Sequence, residues 1–206
     1  MEGDIAQILL ETKAVTLQPD TPFTFTSGIK SPIYCDNRLL LSFPEQREKI
    51  IDAFLAVLKP LDFDVIAGTA TAGIAWAAWL VQELKKPMVY VRRKAKGYGK
   101  QNQIEGNLEK GQNVVVIEDL VSTGGSSLGA VDAVRVAGGI VTDCIAIFTY
   151  ELQIAKDGYQ KAQCTLHPLT TFTDVVMLAT KTGYITPEQK DLVLSWSKDP
   201  DAWRRA

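Results

Sequence analysis

Short apolar runs rich in β-branched residues recur along this 206-residue chain. They lie at residues 63–68, 87–92, 113–118, 140–148 and 163–167. Their apolar residues are continuous and do not alternate with polar ones, which is typical of strands that are covered on both faces. The pattern predicts five strands of one buried sheet.

Between these runs the apolar residues follow a helical period. Residues 74–84 keep the i, i+3, i+4 spacing of an amphipathic helix, and residues 128–136 keep it more loosely. Strands that alternate with helices predict an α/β fold, with a central and mostly parallel sheet flanked by helices. In such sheets ligands bind outside the carboxyl ends of the strands.

Two helix starts are predicted from capping boxes, in which a Ser or Thr and a Glu or Gln three residues later bond each other's backbone N–H groups. Ser42 with Glu45 precedes a helix at residues 50–58. Thr186 with Gln189 opens the C-terminal helix. We expect both helices to begin at these boxes.

Two regions depart from the alternation of strands and helices. Residues 15–40 contain three prolines and two β-like pieces, at 23–26 and 33–35, and predict a small hood that the C-terminal part completes. Residues 93–106 are polar and rich in Gly and Lys, which predicts a flexible basic lid because long unstructured stretches in compact chains are disordered or functional. With no internal repeat or linker, we expect a single domain over residues 1–206.

Composition and charge indicate the compartment and give no support for a nucleic-acid or membrane partner. The hydrophobic fraction of 46% and charged fraction of 22% are ordinary for a globular protein, and the net charge of −2 favours neither nucleic acid nor a membrane surface. Three widely spaced cysteines without metal-ligand spacing favour a reducing compartment. The N-terminus does not resemble a signal peptide, and Gly and Thr interrupt the apolar stretch at 65–81. We expect a soluble, cytoplasmic protein.

Candidate chemistry is concentrated where the third predicted strand ends. Glu118 and Asp119 are followed by Leu-Val-Ser-Thr-Gly-Gly-Ser and a helix start. Gly124 and Gly125 let the backbone approach a ligand, and successive N–H groups at a helix start cradle an anion. Carboxylates beside a phosphate repel it, but they can bind the hydroxyls of an adjoining ribose and stabilise an oxocarbenium-like ring. The loop predicts a sugar-phosphate site; the alternative is an ordinary strand-to-helix turn with a solvated acidic pair.

The motifs resemble a known family. Residues 115–126, with the sequence VVIEDLVSTGGS, resemble the phosphoribosyl pyrophosphate motif of type I phosphoribosyltransferases. Further segments are similar, in the same order, to the orotate phosphoribosyltransferases: residues 23–38, 68–73, 90–96 and 102–106. The resemblance implies the type I phosphoribosyltransferase fold with a small N-terminal hood. It also implies transfer of phosphoribosyl from 5-phosphoribosyl 1-diphosphate to orotate, giving orotidine 5′-phosphate and pyrophosphate in de novo UMP biosynthesis.

The resemblance assigns roles to individual positions. Glu118 and Asp119 would hold the ribose hydroxyls, residues 123–126 would wrap the 5′-phosphate, and Ser122 would contact orotate. The implied catalytic residues are Lys96, Asp119 and Glu118. The implied binding site for phosphoribosyl pyrophosphate is Arg92, Arg93, Lys96, Tyr98, Glu118, Asp119, Leu120, Val121, Ser122, Thr123, Gly124, Gly125 and Ser126. The implied cofactor is Mg²⁺, which substrate phosphates would hold without dedicated protein ligands.

The lid and the oligomer are connected in this family. Members are homodimers, and the resemblance implies that Arg92, Lys96 and Tyr98 reach into the partner's site. Between Leu84 and Ile104 there are seven cations and no acid: Lys85, Lys86, Arg92, Arg93, Lys94, Lys96 and Lys100. Such a run is usually a solvated face, but a basic lid would also neutralise pyrophosphate and exclude water. RNA binding is disfavoured because Tyr98 is the only aromatic residue in the lid.

Some positions depart from the family's pattern or keep two interpretations. Tyr98 stands where the family has histidine and cannot carry its charge, which would cost about 1.5–3 kcal/mol in the transition state. A regulator that binds phosphoribosyl pyrophosphate without catalysis therefore remains an alternative. A transferase for another base is a second alternative, against which the hood segment 23–38 argues. Ala72 stands where some members have a basic residue. We expect His167 to be packed or exposed, not catalytic, and Trp76 and Trp79 to lie in the core or at a dimer interface.

Overall fold

The N-terminal part of the chain forms two small sheets, seen in a computed structural model that describes residues 2–25, 28–93 and 103–203. Helix α1 (Glu2–Glu11) is followed by β1 (Val15–Leu17), β2 (Phe23–Thr24), β3 (Lys30–Ser31), β4 (Ile33–Cys35) and a 3-10 helix at Asn37–Ser42. β1 pairs antiparallel with β4, and β2 with β3. We call residues 15–40 the hood, as predicted for this segment.

Within the described residues, a six-stranded sheet forms the centre of the molecule in the order β10-β9-β8-β5-β6-β7. Its strands are β5 (Val65–Thr69), β6 (Met88–Val91), β7 (Ile104–Glu105), β8 (Asn113–Val121), β9 (Ile140–Thr149) and β10 (Thr165–Thr171). All neighbouring strands are parallel except β6 and β7, which pair antiparallel at one edge. The predicted α/β fold and the five predicted strands are confirmed.

Helices cover both faces of this sheet. They are α2 (Pro44–Leu58), α3 (Gly73–Leu84), α4 (Gly125–Val136), α5 (Gln153–Lys161), α6 (Phe172–Lys181) and α7 (Pro187–Trp196). Val115 and Ile117 of β8 pack into one core with α2, α3 and α6, whereas Val114 and Val116 pack into a second core with α4 and α5. Because successive side chains of a strand point to opposite faces, burial of both faces explains the continuous apolar run.

One of the two predicted capping boxes is confirmed. Thr186 and Gln189 cap α7 reciprocally. The other was wrong, since Ser42 ends the 3-10 helix and Phe43 is the N-cap of α2, without a side-chain cap bond. Pro44 occupies the first turn of α2, where its fixed φ suits a helix and its missing N–H needs no cap.

The predicted lid at 93–106 is only partly within the described residues. Residues 94–102, which include Lys96 and Tyr98, lie outside them. At the other end of the segment, β7 pairs with Tyr90 and Val91, and Ile104 is buried. The C-terminal end of the predicted lid is therefore an edge strand of the sheet.

Aromatic side chains settle one open question on the core. Trp76 is buried and lies edge-to-face against Trp79, with ring centroids 5.4 Å apart. Trp79 is partly buried, and the guanidinium of Arg47 lies 4.6 Å from its ring. Trp76 is therefore a core residue.

No helix in the described part of the chain is long and apolar enough to cross a membrane.

The start of α3 predicts a sharp difference between two glycines. A Cβ on Gly73 would overlap the backbone oxygen of Ile117, whereas a Cβ on Gly129 of α4 would meet no atom within 4 Å. Gly73→Ala should therefore lower the free energy of unfolding by about 1–3 kcal/mol through overpacking. Gly129→Ala should raise it by about 0.5–1 kcal/mol, because alanine favours a helix. Urea unfolding measures both, and equal midpoints for the two variants would contradict this account of the packing.

Candidate active site

Two adjoining cavities open at the carboxyl ends of β5 and β8, which are neighbours in the sheet. The first, the loop cavity, has a volume of about 520 Å³ and is lined by Thr69, Ala70, Val91, Arg92, Arg93, Gln103, Leu120, Ser122, Thr123, Gly124, Gly125, Ser126, Gly129 and Ala130. The second, the carboxylate cavity, has a volume of about 350 Å³ and is lined by Cys35, Asp36, Asn37, Arg38, Ala70, Thr71, Ala72, Glu118, Asp119, Leu120 and Ser126. The two share Ala70, Leu120 and Ser126, so a ligand longer than either could occupy both.

The turn from β8 into α4 lines the loop cavity. Gly124 is the N-cap of α4, with a φ of 82° in the left-handed region that favours glycine, and it makes no side-chain cap bond. The first N–H groups of a helix have no partner within the helix, and the helix dipole adds positive charge at that end. The turn is therefore suited to bind a phosphate or a similar anion.

A buried chain of hydrogen bonds supports this turn from behind. The Tyr159 hydroxyl of α5 donates to Oγ of Ser127 (2.7 Å), which in turn donates to the carbonyl of Gly124 (3.3 Å). The Tyr159 oxygen also lies 3.3 Å from Sγ of Cys144 on β9. Burial raises the pKa of Tyr159 and the pKa of Cys144, so both keep their protons. The wall behind the anion-binding turn is therefore neutral, and sequence reasoning missed it.

The acidic pair lies within β8, because the pairing of β8 with β9 continues to Val121. The Glu118 residue is only 4% exposed, and its carboxylate accepts bonds from Oγ of Ser126 (2.7 Å) and the backbone N–H of Asp119 (3.2 Å). Burial above all, and then the charge of Asp119, raise the pKa of Glu118 to about 8. Burial also raises the pKa of Asp119. The cavity therefore does not carry two full negative charges at neutral pH.

The hood closes the carboxylate cavity from the side. Nδ2 of Asn37 donates to the backbone oxygen of Asp119 (2.6 Å), and Sγ of Cys35 donates to Oδ1 of Asn37 (3.4 Å). Next to them, the Arg38 guanidinium donates to both carboxylate oxygens of Asp36, from Nε (2.6 Å) and from Nη2 (2.8 Å). The Arg38 bond lowers the pKa of Asp36, which stays ionised. These contacts place hood side chains within reach of whatever the acidic pair binds.

Most of the predicted site residues surround one of the two cavities: Arg92, Arg93, Glu118, Asp119, Leu120, Ser122, Thr123, Gly124, Gly125 and Ser126. Val121 does not, since its side chain is buried in the core with α4 and α5. Lys96 and Tyr98 lie outside the described residues. Arg92 lines the loop cavity of its own chain, with Nη1 3.6 Å from Oε1 of Glu105.

Other charged residues of the sequence pattern lie elsewhere. Lys86 donates to the backbone oxygen of Phe63 and lies over that ring. His167 pairs with Asp143 across β10 and β9, with Nε2 2.6 Å from Oδ1. Neither Lys86 nor His167 lines the two cavities.

The oxygen atoms of the two cavities fit a hard cation only in part. Carboxylate and hydroxyl oxygens are the ligands that Mg²⁺ prefers. Among the described residues, however, no group of three or more His, Cys, Asp or Glu is arranged to hold a metal ion. A Mg²⁺ ion here would therefore take most of its ligands from a bound phosphate compound and water.

Known proteins resemble this chain along nearly its whole length. The family model of the phosphoribosyl transferase domain matches residues 46–175. The orotate phosphoribosyltransferase of Coxiella burnetii is 51% identical over 203 residues, which are 98% of this chain and 97% of that protein. That of Listeria monocytogenes is 50% identical over 205 residues, which are 98% of each. The crystal structure of orotate phosphoribosyltransferase from Aeropyrum pernix superposes with a TM-score of 0.76 at 29% identity, covering 88% of this chain and 99% of that one.

The buried Glu118 carboxyl predicts a stability that depends on pH. Its pKa rises from the ordinary 4.5 to about 8 on folding, so the folded state binds an extra proton between these values and loses stability as the pH rises through them. Glutamine keeps the shape of the side chain and stays neutral. Glu118→Gln should therefore leave stability nearly unchanged at pH 4.5 and raise it by roughly 1–3 kcal/mol at pH 8.5, the scale for an incompletely compensated buried group.

Urea unfolding at pH 4.5, 6.5 and 8.5 checks this prediction. Glu188→Gln is the matched control, because Glu188 is exposed and hydrogen bonds lower its pKa. It should show no gain in stability with rising pH. A gain for Glu118→Gln that is equal at all three pH values would contradict the proton uptake.

Proposed function

The chain belongs to the orotate phosphoribosyltransferases, enzymes of pyrimidine biosynthesis within the type I phosphoribosyltransferase family, and we propose that its two adjoining cavities form the active site. Phosphoribosyl pyrophosphate spans both of them, and orotate enters beside the hood. The observation that carries this proposal is the short distance between an anion-binding turn and an acidic pair. The acidic pair lies near the end of β8, the anion-binding turn follows it, and the two are bonded to each other through Ser126 and Glu118.

The 5′-phosphate binds in the loop cavity. Residues 123–126 offer backbone N–H groups at the start of α4, and Thr123 adds an exposed hydroxyl. The neutral wall of Ser127 and Tyr159 holds the carbonyl of Gly124 away from the phosphate, because that carbonyl accepts the Ser127 hydroxyl. The turn therefore presents its backbone N–H donors to the anion, and the Gly124 carbonyl is directed elsewhere.

The ribose lies over the acidic pair in the carboxylate cavity. Asp119 is less buried than Glu118 and is the better candidate to accept bonds from the ribose hydroxyls. Orotate N1 attacks C1 of the ribose, the bond from C1 to pyrophosphate breaks, and the configuration at C1 inverts. The N1 proton is released to water or to the departing pyrophosphate. As the ring becomes cationic, the carboxylate of Asp119 stabilises it electrostatically, and Glu118 keeps Ser126 in place.

Pyrophosphate leaves on the side of β5 and β6. Arg93 lines the loop cavity there together with Thr69 and Ala70, so that positive charge faces the departing group. Bound Mg²⁺, held largely by the diphosphate oxygens and water, would add neutralising charge. We also propose that Lys96 and Tyr98 take part in closure over the substrate, that Ser122 contacts orotate, and that the enzyme is a homodimer in which Arg92, Lys96 and Tyr98 reach the partner's site. These assignments rest on the resemblance to the family.

A cytoplasmic location belongs to the same proposal. All three cysteines are free and buried, as suits a reducing compartment. Burial raises the pKa of each of them, so the thiols are not nucleophiles at neutral pH. This agrees with a mechanism in which no side chain forms a covalent bond to the substrate.

Pyrophosphate release in the presence of phosphoribosyl pyrophosphate tests the proposed reaction. We expect release with orotate and Mg²⁺, a large loss when Mg²⁺ is chelated, and little release with adenine, hypoxanthine or xanthine. Binding of phosphoribosyl pyrophosphate with no release under any condition would favour a regulator instead. Faster release with a purine would favour a different transferase.

Two variants test the assigned roles. Asp119→Asn removes the charge that stabilises the cationic ring, and Lys96→Ala removes a cation that would neutralise the leaving group. Each should lower kcat at least tenfold, about 1.4 kcal/mol or more, without lowering the melting temperature. Asp191→Asn and Lys156→Ala are exposed controls away from both cavities and should keep the full rate. Full rates in Asp119→Asn and Lys96→Ala would contradict both roles.

A further inference from the structure

The substrate that the proposed active site must admit is itself an anion. Orotate carries a carboxylate on the carbon next to N1, the atom that attacks the ribose. In the productive position this carboxylate therefore lies close to C1 of the ribose and to the acidic pair. Like charges at such distances repel, so the carboxylate cavity needs a cation at its hood side if orotate is to bind there.

Arg38 is the one cation among the described residues that line the carboxylate cavity, whose lining also contains three acids, Asp36, Glu118 and Asp119. It follows Asn37, whose side chain is bonded to the backbone of Asp119 at 2.6 Å. The Arg38 charge also acts on the Asp119 carboxyl, where it favours the ionised form and lowers the pKa. Arg38 is therefore anchored near the acidic pair through the hydrogen bond of its neighbour Asn37.

The Arg38 side chain is held in place yet keeps donors for a ligand. Asp36 accepts from Nε and from Nη2, and it also accepts the backbone N–H of Arg38 at 3.2 Å. A guanidinium has five N–H donors, so three remain, on Nη1 and Nη2. These two atoms form an edge that matches the two oxygens of a carboxylate. With 68% of its side chain exposed, Arg38 is accessible to a ligand that enters beside the hood.

We propose that Arg38 binds the carboxylate of orotate and thereby selects orotate over pyrimidines that lack this group. Asp36 is the positioning residue that orients the guanidinium. The inference rests on the proposed arrangement of phosphate and ribose, and it adds the contact that recognises the base. The alternative is that Arg38 and Asp36 form a solvated ion pair of the hood without a role in binding.

Arg38→Gln tests the proposal when orotate and uracil are compared as acceptors. Loss of a charge-assisted bidentate contact should lower kcat/KM for orotate by about 10- to 100-fold. Uracil has no carboxylate, so its kcat/KM should stay within about twofold, and the preference for orotate should fall by the same 10- to 100-fold. The amide of orotate, which has nearly the same shape and no charge, should behave like uracil.

Three controls separate recognition from damage to the site. Lys30→Gln removes a hood cation that is bonded to Thr24 (2.8 Å) and does not line the carboxylate cavity, so the preference for orotate should not change. Ribose 5-phosphate should bind to Arg38→Gln with the affinity it has for the wild-type enzyme. Arg38→Lys keeps the charge but loses the paired N–H donors of the guanidinium. Its preference for orotate should therefore lie between those of the wild-type enzyme and Arg38→Gln.

Two outcomes would overturn the inference. One is an unchanged preference for orotate in Arg38→Gln, and the other is an equal loss with orotate and uracil. Should Arg38→Gln fail to fold, the same comparison with Arg38→Lys decides between these results. A wild-type protein that binds ribose 5-phosphate but shows no orotate-dependent turnover would instead overturn the proposed function, whatever the variants do.

Discussion

Strand β8 buries both of its faces and also carries two carboxylates near its end, and the rest of the site is built around that constraint. Its alternate side chains fill two separate cores, so β8 cannot move without disturbing both. At its end the Glu118 carboxyl remains buried, compensated by Ser126 and by the N–H of Asp119. These two hydrogen bonds do not fully compensate for the burial, so the pKa of Glu118 remains raised.

Parallel pairing then determines what lies beside the acidic pair. Because β5 and β8 run side by side in the same direction, the residues after β5 border the same cleft as the turn after β8. Gly73 begins α3 so close to the backbone of Ile117 that no side chain fits between them. A diphosphate site and a phosphate site can therefore flank one sugar without any long loop connecting them.

The hood and the neutral wall support neighbouring parts of one segment, the end of β8 and the turn that follows it. Asn37 attaches the hood to the backbone of Asp119, while Tyr159 and Ser127 hold the carbonyl of Gly124 from within the core. A site that binds phosphates, a sugar and an anionic base needs donors in fixed positions more than it needs mobile charge. Arg38, oriented by Asp36, extends this arrangement to the base.

The sequence by itself determined the five buried strands, the α/β class and the glycine-containing turn between β8 and α4, because apolar periodicity and the glycines of a turn are local signals. Predictions from local signals were wrong where another residue or strand determined the local structure. Ser42 and Glu45 match the capping-box pattern, but α2 begins at Pro44 and does not use it. The C-terminal end of the predicted lid is an edge strand, because it pairs with Tyr90 and Val91 of β6. Only the tertiary structure decided that Asn37 contacts Asp119, 82 residues away, and that Tyr159 supports Gly124. Such contacts depend on packing between distant segments, and packing leaves no period or motif in the chain.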